Sequence, residues 1–414
     1  MIILAVILIG FLLWRQEQNK ITVISAVLPK EYQETEKDWI AGMKECSKNQ
    51  EFQLHFFFEK EEDLEERIKQ EKEEASAVIT KKDRNPKEED AFLDGYKRAS
   101  KLAKDSSKVR KPDPDKQLKV GISVYNLEDQ FVKSLTEDIE EKLKDLEKDK
   151  GVRIIMAVED AEMDEQQQDN QIQYLMNQDC DVIAVNLVDT WSASRIIHRA
   201  KEKDIPLVFF NREPSDEDFG IWDQVGYIGG VDGKKLGEMQ ADIVIEDFSQ
   251  DPKTDKNKDG VLQYILAEGE EGHSDTIRRT DSMYKKLKGA LSIEQINSFA
   301  AEWDRETAKE KFLSLPNEII ESCEAVICNN DEMALGVMDA YQEKNIENYP
   351  VIVGIDGITA MKEAIESGQI YGTISQNPEI QSEKAVEMIW KLWKKQGDGQ
   401  SAKVYIEGTI IKKP

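Results

Sequence analysis

Residues 118–187 read LKVGISVYNLEDQFVKSLTEDIEEKLKDLEKDKGVRIIMAVEDAEMDEQQQDNQIQYLMNQDCDVIAVNL. Three apolar runs, Leu118–Tyr125, Val152–Val158 and Asp181–Leu187, alternate with two helical stretches, Phe131–Lys148 and Asp164–Met176. The runs are short and almost uniformly apolar, as strands are when helices cover both faces of a parallel sheet. Strand–helix–strand–helix–strand order is the grammar of a doubly wound α/β unit. Downstream the alternation continues through Leu207–Phe210, Val261–Leu266, Ala325–Cys328 and Ile352–Ile355 to a helix at Ile380–Lys395. About 300 residues of such alternation exceed one comfortable core, so this body divides into more than one lobe.

Upstream, the same grammar appears in shortened form. Strand-like runs at Ile21–Leu28, Gln53–Phe58 and Ala75–Thr80 flank helical stretches Glu34–Ser47 and Glu59–Glu74. Residues 20–99 are therefore expected to form a degenerate β-α-β-α-β half-lobe; lacking completing strands, it should pack on a partner or on the main body. Residues 100–117, SKLAKDSSKVRKPDPDKQ, are polar and interrupted by Pro112 and Pro114, which reads as a linker. The first fourteen residues, MIILAVILIGFLLW, are apolar apart from Gly10. That is short of the ~20 residues a spanning helix needs, and neither a basic start nor a small-residue cleavage site flanks it. Residues 1–19 are expected to act as a signal segment or an uncleaved membrane anchor, which places the rest of the chain outside the cytoplasm.

Composition narrows the functional classes. The 414 residues carry a formal net charge of −27, so no broad basic surface can neutralise a phosphate backbone, and nucleic acid is excluded as a partner. Cys46, Cys180, Cys323 and Cys328, with only three histidines, make neither a disulfide scaffold nor a zinc module, and all four read as packing residues. No nucleophile elbow, phosphate loop or H-E-x-x-H is present, so the chain is not expected to be an enzyme.

The sharpest single motif is Asp255-Lys-Asn257-Lys-Asp259-Gly260-Val261-Leu-Gln263. Oxygen-bearing side chains stand at loop positions 1, 3, 5 and 9, glycine stands at 6 where the chain must turn, and Val261 can offer its carbonyl at 7. This is the first nine residues of an EF-hand-type loop, suited to calcium. Position 12 is Leu266, which cannot coordinate, so a carboxylate must come from elsewhere in the chain.

With the segment that follows it, DKNKDGVLQYILAEGEEGHSDTIRRT (255–280), the loop resembles the calcium loop and sugar-binding turn of bacterial periplasmic galactose/glucose-binding proteins. The resemblance spans roughly residues 118–414 and recurs in VYNLEDQF (124–131), VNLVD (185–189), VFFNREP (208–214), EWDRETA (302–308), ICNNDEMALG (327–336) and VGIDG (353–357). It implies the two-lobed type I periplasmic-binding-protein fold, two doubly wound parallel sheets joined by a three-crossover hinge. Lobe 1 would comprise 118–229 plus 377–403, and lobe 2, with the calcium loop, 230–376 plus 404–414.

Matching motif by motif, the resemblance implies a sugar pocket of Tyr125, Asp129, Phe131, Asn186, His273, Asp275, Arg279, Trp303, Asn330, Asp356 and Gln376. Phe131 and Trp303 would stack on the two C–H faces of a pyranose, and the polar groups would serve its hydroxyls. It also implies Glu324 as the missing calcium carboxylate beside Asp255, Asn257, Asp259, Val261 and Gln263. One departure stands out: Gln376 occupies the hinge position where the family has asparagine. The implied function is an extracytoplasmic binding protein that closes on glucose or galactose and delivers it to an ABC transporter permease. The alternative is a membrane-tethered sugar sensor signalling to a histidine kinase or chemoreceptor.

Overall fold

The computed structural model describes residues 20–49, 52–85, 88, 90–106, 109–110, 115–346, 348–395 and 402–413. The expected signal or anchor, 1–19, lies outside them. Among the described residues no helix is long and apolar enough to cross a membrane.

Among the described residues two large sheets carry the chain, beside a two-stranded ribbon of Lys20–Ile21 and Val109–Arg110. In order the strands are β1 Val23–Pro29, β2 Gln53–Glu59, β3 Ala77–Thr80, β4 Gln117–Val124, β5 Arg153–Asp160, β6 Val182–Val185, β7 Leu207–Phe210 and β8 Val225–Gly229. There follow β9 Val261–Glu268, β10 Ser292–Ala300, β11 Ala325–Cys328, β12 Val351–Asp356, β13 Gly372–Ser375, β14 Ala402–Tyr405 and β15 Thr409–Lys412. The first sheet has nine strands in the order β14-β8-β7-β6-β4-β5-β2-β1-β3, and the second six in the order β10-β9-β11-β12-β13-β15. Within the first sheet only the β2–β5 contact is antiparallel, and within the second only β13–β15. This is the type I periplasmic-binding-protein fold.

Helices enclose each sheet because their apolar residues recur every three or four positions. The helix Gln130–Lys150 buries Val132, Leu135, Ile139 and Leu143. It packs there against the helix Pro378–Trp393, which buries Ala385, Val386 and Ile389 in the same core. Asp129 caps its first turn, accepting from Val132 N at 3.0 Å, and Gly151 ends it in the left-handed conformation at φ 62°.

Three crossings link the lobes, after β8, after β13 and after β14. Asn377, left-handed at φ 51°, ties two of them together: its Nδ2 donates to Glu407 O at 2.6 Å and to Thr409 Oγ1 at 3.1 Å. The last crossing falls later than the expected 403/404 boundary, because Val404 and Tyr405 still pair with Ile228 and Gly229 of the first sheet.

The N-terminal block packs on the main body, one of its two expected partners, and does so within a shared sheet. Its strand order β2-β1-β3 repeats β5-β4-β6, and the two triplets join edge to edge through their second strands, Phe56 opposite Met156. The linker is shorter than 100–117: the helix Ala91–Asp105 runs through its first six residues, Lys20–Ile21 pairs with Val109–Arg110, and Gln117 already belongs to β4.

Candidate functional site

Ten of the eleven residues expected in the sugar pocket line a single small cavity at the carboxyl ends of the parallel strands, between the lobes. It encloses about 40 Å³ and is completed by Asn211 and Arg212. The turn after β4 supplies Tyr125, Asp129 and Phe131. Asp129 accepts from the Tyr125 hydroxyl, and burial first, then the neighbouring Asp129 charge, pushes that phenol up. Phe131 is half of two worlds: buried in the lobe core, it still shows an edge to the cavity.

Lobe 2 contributes from four loops. His273 begins the helix Ser274–Ala290, its Nδ1 accepting from Asp275 N at 3.1 Å, so the neutral ring carries its proton on Nε2. Burial, with Arg212 and Arg279 nearby, lowers His273 to about 4, against the pull of Asp275. One turn along, Arg279 donates from Nη1 to Asn329 O at 2.7 Å and from Nη2 to Asp275 at 3.3 Å. Its guanidinium lies 5.5 Å from the Trp303 ring centroid, and its buried Nε has no partner among the described residues.

Trp303 is placed by its backbone. Glu302 and Trp303 are both left-handed, at φ 52° and 67°, and Asn330 Nδ2 holds the Trp303 carbonyl at 3.0 Å. The indole lies directly over Gly269, where an added Cβ would come within 2.3 Å of it. His273 meets it edge to face at 5.4 Å.

Asp356 ends β12 at φ 133° and accepts from Gln376 Nε2 at 2.7 Å. Burial lifts its carboxyl well above the usual range; Arg279 opposes that, and Asp331 and Asp129 reinforce it. The turn carrying Asp356 is built on Asp331, which is fully buried. Asp331 Oδ2 accepts from Gly357 N at 2.6 Å and Ile358 N at 3.0 Å, and Oδ1 from the Thr373 hydroxyl at 2.5 Å. Gln376 sits on the second hinge crossing against Gly230 on the first, so close that a Cβ at Gly230 would lie 2.4 Å from the Gln376 amide oxygen.

Asn186, the eleventh residue, does not reach the cavity. It is fully buried one layer behind, accepting from Tyr125 N at 3.4 Å and donating to Phe210 O at 3.2 Å. Its amide is consumed by backbone, so it holds the turn that carries Tyr125.

Arg212 is the residue that sequence reasoning passed over. Its guanidinium lies 4.0 Å from the Tyr125 ring centroid, donates to Val188 O at 2.5 Å, and faces Glu270 of the other lobe at 4.0 Å. Asn211, left-handed at φ 62°, turns the chain there.

At the far end of lobe 2 the Asp255–Gln263 loop folds on itself. Asp255 accepts from the N–H groups of Asp259 and Gly260 at 3.2 and 3.0 Å, and Gly260 is left-handed at φ 75°. Asp259 accepts from Asn257 Nδ2 at 2.8 Å and Gln263 Nε2 at 3.0 Å. Glu324 faces the loop, accepting from Lys256 N at 2.6 Å and Gln263 N at 3.1 Å. Burial raises its carboxyl against those two hydrogen bonds, and Asp255 and Asp259 raise it further. Among the described residues no cluster of three or more His, Cys, Asp or Glu side chains is poised to hold a metal ion. The oxygens gathered here come from carboxylates and amides.

The model of the periplasmic binding protein domain matches residues 120–397. The D-galactose/methyl-galactoside binding periplasmic protein MglB of Haemophilus influenzae is 28% identical over 298 residues, 72% of this chain and 88% of that protein. The ribose import binding protein RbsB of Bacillus subtilis is 25% identical over 275 residues, 66% of this chain and 80% of its own length. Among solved structures, a periplasmic solute binding protein from Actinobacillus succinogenes with bound D-allose superposes with a TM-score of 0.61. At 20% identity, over 72% of this chain and 98% of that one, this likeness bears on the fold.

Proposed function

The chain belongs to the periplasmic binding protein domain family, and from that premise we propose that it is an extracytoplasmic receptor that closes its two lobes on a galactose- or glucose-type monosaccharide for an ABC transporter permease. The observation that carries this reading is the convergence of Tyr125, Asp129, Phe131 and Arg212 from one lobe with His273, Asp275, Arg279, Trp303, Asn330 and Asp356 from the other. Two aromatic side chains, Phe131 and Trp303, stand ready for the C–H faces of a sugar, and the remaining groups supply donors and acceptors for its hydroxyls. A ligand that bridges both lobes stabilises the closed state in proportion to its extra contacts there. The named relatives are galactoside-binding and ribose-import proteins, which favours transport over sensing.

The cavity is small, about 40 Å³, where one water needs ~10–15 Å³. Sugar entry therefore requires the Tyr125–Asp129 hydrogen bond to open and the lobes to part. Asp356, its carboxyl pushed up by burial, faces the cavity while Gln376 Nε2 holds one of its oxygens at 2.7 Å. Calorimetric titration with galactose, glucose, ribose, D-allose and myo-inositol tests the reading. Micromolar or tighter binding of a hexose that is lost in Trp303→Ala is expected; the absence of heat with every member of the panel would end it.

Calcium belongs to the same proposal. The loop offers hard oxygens only, and the Asn257 and Gln263 amides present oxygen instead of nitrogen after a half-turn. Asp255, Asn257, Asp259, the Val261 carbonyl, Gln263 and Glu324 would hold the ion. Its role would be to stiffen the junction of the loop with β9 and β11.

A further inference from the structure

The joint between the N-terminal block and the first lobe holds a cleft of about 920 Å³, against about 40 Å³ at the interlobe cavity. One wall is the helix Lys37–Asn49, presenting Lys37, Ala41, Lys44 and Lys48. The other is the helix Glu165–Asn177, presenting Gln166, Gln167, Asn170, Gln171 and, deeper, Tyr174. Phe58, Leu127 and Val158 form an apolar floor, and Phe92, 42% exposed, stands on the lining as a ring left in water.

The amide wall is the feature that points to a ligand. Gln166 and Asn170, and Gln167 and Gln171, are one helical turn apart, which puts each pair ~5–6 Å apart at Cβ on one face. Gln167 and Gln171 both donate to the same carbonyl, Asp160 O, at 3.1 and 2.6 Å. Each amide keeps a second N–H, and among the described residues the buried Gln171 amide oxygen has no partner. An unmet buried acceptor costs free energy until something donates to it. Among the described residues the Gln166 and Asn170 side chains have no hydrogen-bond partner.

Charge selects against an anion. Three of the four lysines of the cleft are already engaged. Lys44 pairs with Glu159 at 2.6 Å and Lys133 with Glu34 at 3.0 Å, while Lys48 lies 3.6 Å from Glu45 and over the Tyr174 ring at 5.2 Å. Carboxylates from Glu128, Glu137, Asp160, Glu162 and Asp164 outnumber what ammonium remains. Exposed amides that both donate and accept, apolar rings at floor and rim, and a single lysine, Lys37, unpaired among the described residues and outnumbered by carboxylates, together fit a neutral polyhydroxylated ligand: amides meet vicinal hydroxyls, rings meet C–H faces. The volume approaches the upper end of the ~300–1,000 Å³ of small-molecule pockets, more than one sugar ring requires.

The geometry points to a second carbohydrate site in this joint, taking a neutral oligosaccharide of two or three rings, with the Gln166–Gln171 amide face and Phe92 as its contacts. The site does not depend on what the interlobe cavity binds. The test is calorimetric titration of the full chain with cellobiose, maltotriose, raffinose and xylotriose. It is run in the wild type and in Trp303→Ala, which silences the interlobe cavity. At least one oligosaccharide is expected to bind Trp303→Ala with wild-type affinity. In the same background that binding should weaken at least tenfold with Gln166→Ala plus Asn170→Ala, and again with Phe92→Ala. Gln166, Asn170 and Phe92 are solvent-exposed, so these variants should melt at the same temperature as Trp303→Ala alone, which circular dichroism checks. No binding of any of the four in Trp303→Ala, or binding indifferent to both sets of substitutions, overturns the proposal. Monosaccharide binding that fails while oligosaccharide binding persists would sink the interlobe reading and leave this one standing.

Discussion

Trp303 owes its position to a missing side chain. Its indole covers Gly269 where a methyl group would come within 2.3 Å of the ring, so Gly269→Ala must push the indole toward the cavity or out of it. Sugar affinity should fall at least tenfold, about 1.4 kcal/mol, while the thermal midpoint changes little because Trp303 is only partly buried. Unchanged affinity in this variant would remove the stacking role. Two titrating groups of the same region act on stability in opposite senses. His273 is held near 4 against an ordinary 6.5, so between those values the unfolded chain binds a proton the folded chain refuses, and stability rises with pH. Asp331 is raised by burial to about 7 from 3.8. There the folded chain keeps a proton the unfolded chain has lost, and stability falls as pH climbs from ~4 through 7. Melting curves from pH 4 to 8 should show the acid-side loss flattened in His273→Gln and the neutral-side loss flattened in Asp331→Asn; parallel curves would refute both assignments. Much of this was legible from the sequence, because the pocket residues sit in motifs that follow apolar strands. What was not legible is which amide turns inward. Asn186 and Asn211 both follow an apolar strand, yet one is spent on backbone and the other reaches the cavity. Arg212 carried a readable signal, a charged residue just past Leu207–Phe210 at the carboxyl end of a parallel strand.

At the scale of elements, close approach and loop chemistry make the predictions. The helices Lys37–Asn49 and Ala91–Asp105 cross through Gly42 and Gly95. A Cβ on Gly42 would lie 1.9 Å from Phe92 O, and one on Gly95 2.0 Å from Trp39 O. Alanine normally gains up to ~1 kcal/mol over glycine inside a helix, but here it meets backbone that cannot rotate away. Gly42→Ala and Gly95→Ala should each destabilise by about 1–3 kcal/mol, read as a lower denaturation midpoint; a raised midpoint would show that the helices can separate freely. The Asp255–Gln263 loop predicts a metal effect. An ion bound only by the native state at 100 times its Kd adds about 2.7 kcal/mol, so excess chelator should lower the melting temperature and calcium restore it. Glu324→Gln should abolish the difference, and a chelator-insensitive melt would dismiss the ion. The ten strand runs read from the sequence all form strands because each is short and mostly apolar, whereas β8, β10, β13, β14 and β15 were not read, β10 (SIEQINSFA) being half polar and largely exposed. The end of the helix Ala91–Asp105 was not legible either: Lys101, Lys104 and Asp105 look like linker composition, and only the apolar stripe through Ala99, Leu102 and Ala103 against the block's core keeps them helical.

For the whole molecule, the N-terminal block is the unexpected part, and its attachment is electrostatic as much as it is a shared sheet. Sequence periodicity could show that residues 20–99 repeat the start of lobe 1, but not that the two would fuse, because a single ladder pair, Phe56 opposite Met156, carries the β2–β5 contact. Side chains do the rest. Arg67 pairs with Glu147 at 2.5 Å and Lys144 with Glu59 at 3.0 Å, both across the joint. At the centre Arg153 of lobe 1 meets Glu71 of the block at 2.5 Å, and Glu71, fully buried, also accepts from the Ser25 hydroxyl at 2.6 Å. Arg153 in turn donates to Gln117 at 2.6 Å, so one guanidinium ties the block to the first strand of the lobe. A buried pair of this kind adds little net stability, yet losing one partner strands a charge in low dielectric at about 3–5 kcal/mol. Arg153→Met should therefore lower the unfolding free energy by about that amount, and Arg153→Met with Glu71→Leu should recover most of it, since no charge is then left buried. Sugar affinity should stay within about twofold of wild type in both variants, because the joint lies on the sheet edge away from the cavity. If Arg153→Met unfolds at the wild-type midpoint, the block is docked loosely rather than built in. If the double variant is no better than the single one, the contact surface depends on the ion pair's geometry and not on its charge balance.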